Sequence, residues 1–143
     1  MKINRSASAA WSGGLRDGRG SISTESGALS AYPYGFAARF EGKKGTNPEE
    51  LLGAAHAGCF TMALSLILGE AKFTAEQMDT TAKVTLDQAD GGFSIPAVHL
   101  TLRAKIPGID QATFEELAAK AKAGCPLSKV LKANITLDAS LVV

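Results

Sequence analysis

The sequence predicts an α+β fold with a largely antiparallel sheet. Three observations carry the prediction: a charge-free apolar run from Leu51 to Gly69, short candidate strands before it and alternating strand patterns after it, and turn chemistry at short intervals between the strands. At 143 residues, without internal repeats or low-complexity stretches, residues 1–143 are expected to form a single domain with a real core.

The first third is rich in Gly and Ser. Ala7 to Trp11, Arg19 to Ser26 and Phe36 to Gly42 read as short candidate strands, separated by Gly13-Gly14 and by Tyr32-Pro33. A helix start follows, with Asn47 as N-cap, Pro48 at the first helical position, and Glu49 and Glu50 where the helix dipole favours negative charge. That helix is predicted from Pro48 to about Gly69. Its length suits a membrane span, yet His56, Thr61, Ser65 and three glycines dilute it, acidic rather than basic residues precede it, and no companion segment exists. A helix apolar on all sides is equally the buried centre of a soluble fold, so no membrane partner is expected.

Thr74 to Gln77 resembles a short capping turn, after which Ala82, Val84 and Leu86 alternate with Thr81, Lys83 and Thr85. Asp90-Gly91-Gly92 is hairpin chemistry. The next strand is the plainest, with Val98, Leu100, Leu102, Ala104 and Ile106 alternating with His99, Thr101, Arg103 and Lys105. Pro107-Gly108 breaks it, Asp110 caps a helix carrying Phe114, Leu117 and Ala121, and Gly124 is placed to stop that helix. Cys125-Pro126 opens another short helix. A last strand places Ile135, Leu137, Ala139 and Leu141 on one face.

Composition excludes several classes. Lys and Arg total 15 against 14 Asp and Glu, a net charge of +1, and no basic cluster sits beside aromatics, so nucleic acid is not an expected partner. Lys2, Asn4, Arg5 and Ser6 leave no apolar core for a secretory signal, and a cytoplasmic location is the expectation. In such a compartment the two cysteines are read as free, redox-active or metal-bound rather than as a structural staple.

Cys59 falls within the apolar helix among Gly53, Ala54, Ala55, Ala57 and Gly58, a surface small enough for close approach. A small buried hydrophobe is the plain alternative for it. Cys125 lies between Gly124 and Pro126, where a helix N-terminus would favour a thiolate or where a turn would simply bury the sulfur. Together they supply the two thiols that a disulfide-forming peroxidase needs, one to attack oxygen and one to condense with the sulfenic acid. Mid-helix, Cys59 gains little from the dipole, so lowering its pKa calls for a cation; Arg39 is the candidate, with an outward-facing strand arginine as its alternative. Leu51, Phe60 and Met62 are expected to give the thiol an apolar surround. The rival class is a zinc-binding or non-catalytic dimeric module, with His56 and Cys59 one helical turn apart and Cys125 and His99 completing four ligands.

The stretch EGKKGTNPEELLGAAHAGCFTMALS and the later AKAGCPLSKVL closely resemble the OsmC (osmotically inducible protein C) branch of the OsmC/Ohr (organic hydroperoxide resistance) family. GCPLS and the position of Arg39 favour the OsmC branch over the Ohr branch. The resemblance implies a sheet wrapped around the central apolar helix in an intertwined homodimer with its sites at the interface. It implies a thiol peroxidase that reduces organic hydroperoxides in stress defence and is recharged by a small or protein dithiol. No metal, haem or flavin is implied. Position by position, Cys59 corresponds to the peroxidatic thiol, Cys125 to the resolving thiol, Arg39 to the thiolate-stabilising cation and Glu49 to the acid orienting it, with Glu50 the adjacent contender. Glu49 precedes Cys59 by ten residues, about 15 Å of helical rise, so either the helix breaks or a partner subunit contributes.

Overall fold

The computed structural model describes Met1–Val143. Its contacts group into two compact units, Met1–Leu51 and Leu52–Val143.

The first unit is built on an antiparallel sheet of β1 (Ala7–Ser12), β2 (Arg19–Thr24) and β3 (Tyr32–Tyr34), with β2 in the middle. Gly20 is paired with Trp11 on one side and Tyr34 on the other, and their rings close over it edge to face at 5.6 Å between centroids. A Cβ at position 20 would lie 2.5 Å from the Tyr34 ring and 2.6 Å from that of Trp11, so only glycine fits. Tyr32-Pro33, expected to separate strands, instead forms β3, an edge position where proline's missing N–H costs no ladder bond.

The strand expected over Phe36 to Gly42 is a helix, α1 (Phe36–Phe40). Ala37 and Ala38 are strong helix formers, no residue there is β-branched, and Phe36 meets Phe40 one turn on, with ring centroids 4.9 Å apart. Gly42, at φ 68°, ends the turn.

α2 (Pro48–Glu70) begins where sequence places it, with the Glu50 N–H donating to Asn47 Oδ1 at 2.8 Å. By length and composition it could cross a membrane. Its buried residues Gly53, His56, Phe60, Leu64 and Leu68 form one stripe at helical spacing. In the second unit this stripe joins a single core with Val98, Leu100, Leu102, Ala104, Phe114, Leu117 and Ala121.

The second sheet has the order β4 (Gln77–Ala89), β5 (Gly92–Lys105), β6 (Asn134–Leu141). β4 and β5 form a long antiparallel hairpin whose turn residues Asp90 and Gly91 both take positive φ, as a two-residue hairpin requires. β6 lies parallel to β5, an exception to the expected antiparallel pattern; α3 (Gln111–Gly124) and α4 (Pro126–Val130) are the crossover such a pairing needs. The largely antiparallel reading thus holds for three of the four ladders, divided between two sheets rather than one. The alternation read from β5 is realised, with Leu100 and Leu102 fully buried and Thr101 and Arg103 exposed.

Leu100→Ala is therefore expected to destabilise the protein by about 2–5 kcal/mol, through lost burial plus a cavity. Its neighbour Thr101→Ala should stay within about 0.5 kcal/mol of wild type. Urea unfolding of both variants measures the contrast.

Candidate active site

In the first unit, Arg39 projects from the last turn of α1 to Glu49 in the first turn of α2. Nε donates to Oε1 and Oε2 at 3.2 Å each and Nη2 donates to Oε1 at 2.5 Å. Glu49 thus holds the Nε–Nη2 side of the fork and leaves the Nη1 side to meet another group. Its side chain is 12% exposed and that of Arg39 35%, so the pair is screened only in part. Glu50 has a different task, accepting a 2.7 Å hydrogen bond from the hydroxyl of buried Thr46. The guanidinium also borders a cavity of about 220 Å³ lined by Trp11, Leu15, Tyr34, Phe36 and Phe40.

In the second unit, Cys59 and Cys125 are free thiols with sulfurs 3.0 Å apart. Cys59 sits beside the buried stripe of α2 and is half-buried, whereas Cys125, at the N-cap of α4, is 0% exposed. A disulfide has its sulfurs about 2.05 Å apart, so oxidation would require an approach of about 1 Å. Burial pushes the Cys59 thiol above the ordinary range, and neighbouring Cys125 adds to the shift, while a hydrogen bond from the Leu127 N–H acts against it. No cation is among the groups that shift it.

One turn before Cys59, His56 is fully buried, and its Nε2 lies 2.8 Å from the Ser128 hydroxyl of α4. Burial lowers its pKa, so the ring is neutral at pH 7. Its Nδ1 has no partner, a loss of about 1–3 kcal/mol relative to a satisfied group.

The structure thus brings the four expected residues into two pairs, Arg39 with Glu49 and Cys59 with Cys125. Arg39 is a helix residue, not the outward strand arginine considered as its alternative. The expected apolar surround does not form as one surface: Phe60 belongs to the core at 0% exposure, while Met62 is 77% exposed. The four proposed zinc ligands do not converge, for His99 bonds to Thr136 and Asp138 across β6, and no group of three metal-binding side chains gathers anywhere. Sequence reasoning missed Ser128 and Leu127. The signal for Ser128 was its place three residues after Cys125, one turn on a helix opening at that cysteine.

Comparison with known proteins gives consistent matches. Residues 41–140 fit the family described as OsmC-like protein. Peroxiredoxin OsmC of Escherichia coli is 58% identical over 141 residues, covering 99% of both chains. The crystal structure of the organic hydroperoxide resistance protein OhrB of Bacillus subtilis is similar at a TM-score of 0.67 and 30% identity, over 96% of this chain and 98% of that one. A Legionella pneumophila structure described as an organic hydroperoxide resistance protein OsmC gives 0.69 and 29%, over 99% and 100%.

With the sulfurs this close, a thiol oxidant such as diamide is expected to consume both thiols and form an intramolecular disulfide, leaving the mass unchanged but for two hydrogens. Cys125→Ser should prevent it. Thiol titration and intact-mass measurement check this, and a disulfide-linked dimer as the main wild-type product would contradict the geometry.

Proposed function

The chain belongs to the OsmC-like family, and on that premise we infer that it is a thiol peroxidase that reduces organic hydroperoxides through Cys59. The observation that carries the residue assignment is the pair of sulfurs 3.0 Å apart with unequal exposure. The half-buried thiol can meet a peroxide; the fully buried one can meet only its neighbour. In the cycle the Cys59 thiolate attacks the distal oxygen of ROOH, the O–O bond breaks, and the alkoxide takes a proton to leave as ROH. Cys59 is then a sulfenic acid. The Cys125 thiol attacks its sulfur, water leaves, and the disulfide forms. A dithiol reduces that bond by exchange, becoming a disulfide itself.

Arg39 is the cation assigned to the thiolate and to the charge developing on the peroxide oxygens, and Glu49 the acid that aims it. Glu49 is supported over Glu50 because Glu49 alone grips the guanidinium, Glu50 being bonded to Thr46. The apolar cavity beside Arg39 suits the hydrocarbon part of ROOH better than it suits hydrogen peroxide. α2 runs unbroken through both Glu49 and Cys59, whose ten-residue separation is about 15 Å of rise. The reading therefore takes the Arg39–Glu49 pair from a second copy of the chain, in a homodimer whose 143-residue subunits each act as one functional domain. The open side of α2 supports this: Met62 is 77% and Leu66 65% exposed, on an apolar helix with no cover. A cytoplasmic setting fits a catalyst that begins each cycle with both thiols reduced.

Cys59→Ser should abolish hydroperoxide turnover, whereas Cys125→Ser should consume one equivalent and stop at a sulfenic acid. Arg39→Ala should slow oxidation and move the rise of rate with pH to higher pH, because the thiolate is the nucleophile and the cation favours it. Arg39→Lys should recover little, since an ammonium lacks the fork. Peroxide consumption followed against pH, with thiolate absorbance, tests the series; wild-type behaviour of Arg39→Ala would remove the cation from the site.

The dimer has a separate test. Cys59→Ser and Arg39→Ala, each inactive or nearly so, should regain activity when unfolded and refolded together, because mixed dimers then contain one intact site. No recovery would return the Arg39–Glu49 pair to its own chain.

A further inference from the structure

Two rungs join α2 to α4. Cys59 faces Cys125 at 3.0 Å, and His56 faces Ser128 at 2.8 Å. Each pair of positions is three residues apart on its own element, so the rungs sit one turn apart and run in opposite chain directions. His56 and Ser128 are separated by 72 residues of sequence, and their hydrogen bond joins α4 to α2 alongside the Cys59–Cys125 contact and the hydrogen bond from the Leu127 N–H to Cys59. α4 is a single short turn, and its own residues supply no fully buried anchor after Cys125. The His56 ring is fully buried yet leaves one nitrogen unpaired, where an apolar residue would continue the stripe of Gly53, Phe60 and Leu64 without that defect.

We propose that the His56–Ser128 hydrogen bond is a positioning device that holds α4 in register so that Cys125 stands ready to resolve oxidised Cys59. This deepens the peroxidase reading and rests on it. Resolution is a displacement at sulfur: the Cys125 thiol forms the S–S bond, the S–O bond of the Cys59 sulfenic acid breaks, and the oxygen departs as water with the thiol's proton. Such a step demands that Cys125 approach along the line of the departing oxygen. A loose α4 would let the sulfur drift while leaving Cys59 and its peroxide untouched. His56 and Ser128 touch neither peroxide nor sulfur in this scheme; they act through the placement of Cys125.

The test separates the two half-reactions. Reduced protein is mixed with one equivalent of tert-butyl hydroperoxide, sulfenic acid is trapped with a 1,3-dione at timed intervals, and disulfide closure is followed by thiol loss. In Ser128→Ala, a change of one part-buried hydroxyl that keeps the helix, closure should fall roughly ten- to a hundredfold, the scale expected for a displacement of about an ångström in a reacting group. Oxidation of Cys59 should change far less, so sulfenic acid accumulates and, with excess peroxide, passes to the sulfinic acid. Ser128→Thr should restore closure, and His56→Leu should match Ser128→Ala where it folds. Closure at the wild-type rate in Ser128→Ala overturns the proposal, as does an equal slowing of both steps, which would mark a purely structural role. If wild-type protein itself forms neither sulfenic acid nor disulfide, the peroxidase reading of Cys59 falls instead, and that failure is visible before any variant is made.

Discussion

The burial of one stripe of α2 is the constraint on which the rest of the second unit depends. Gly53, His56, Phe60, Leu64 and Leu68 face the core, and a Cβ at Gly53 would already stand 3.3 Å from the Ala82 carbonyl, so the helix lies close on the sheet. Fixing that face fixes the others. Cys59, next to Phe60, falls at the margin between the core and the open side. From there its sulfur can contact a buried partner while staying within reach of a small molecule. The opposite side, with Ala54, Gly58, Met62 and Leu66, is left uncovered by the chain itself. An all-round apolar helix cannot satisfy both faces with one small sheet.

The same burial sets the electrostatic problem. Removing a thiol from water disfavours its ionised form, and each unit of pKa is about 1.4 kcal/mol of preference for the thiol. The N–H of Leu127 recovers part of this, but a backbone dipole is a smaller source than a full charge. A guanidinium held by Glu49 suits the task for a geometrical reason. The carboxylate reduces the net charge of the pair, but it also fixes the plane of the fork and leaves the Nη1 side unbonded to it. A fixed donor loses less on engaging a sulfur or a peroxide oxygen than a mobile one, which is where an arginine differs from a lysine.

Much of this was legible in the sequence because it is local or periodic. The Asn47-Pro48-Glu49 helix start, the alternation of Val98 to Ile106, the Asp90-Gly91 turn and the Asp110 cap are all short-range signals, and each is found where expected. Phe36–Phe40 misled because five residues with two phenylalanines at i and i+4 also fit an alternating strand, the two periods agreeing at positions 36 and 40. The parallel β6 was implied by the helical crossover before it but not by its own residues, whose alternation is the same in either direction. Of the site, the four charged and sulfur side chains carried recognisable patterns. Ser128 carried none of its own, since what makes it notable is a histidine 72 residues away, and long-range pairs leave no periodic trace.

The asymmetry between the two sulfurs bears on more than their roles. A sulfenic acid that waits for its partner can meet a second peroxide and be driven to the sulfinic acid, from which ordinary thiols do not recover it. The competition is between an encounter in solution, which scales with peroxide concentration, and an intramolecular step, which does not. Placing Cys125 at 3.0 Å before any peroxide arrives makes the second step nearly a matter of bond exchange, with no search for the partner. Cys125 is fully buried, so a peroxide in solution meets the half-buried Cys59 more readily. The exposure that makes one thiol reactive and the burial that makes the other reserved follow from a single placement, α4 laid across the margin of the buried stripe of α2.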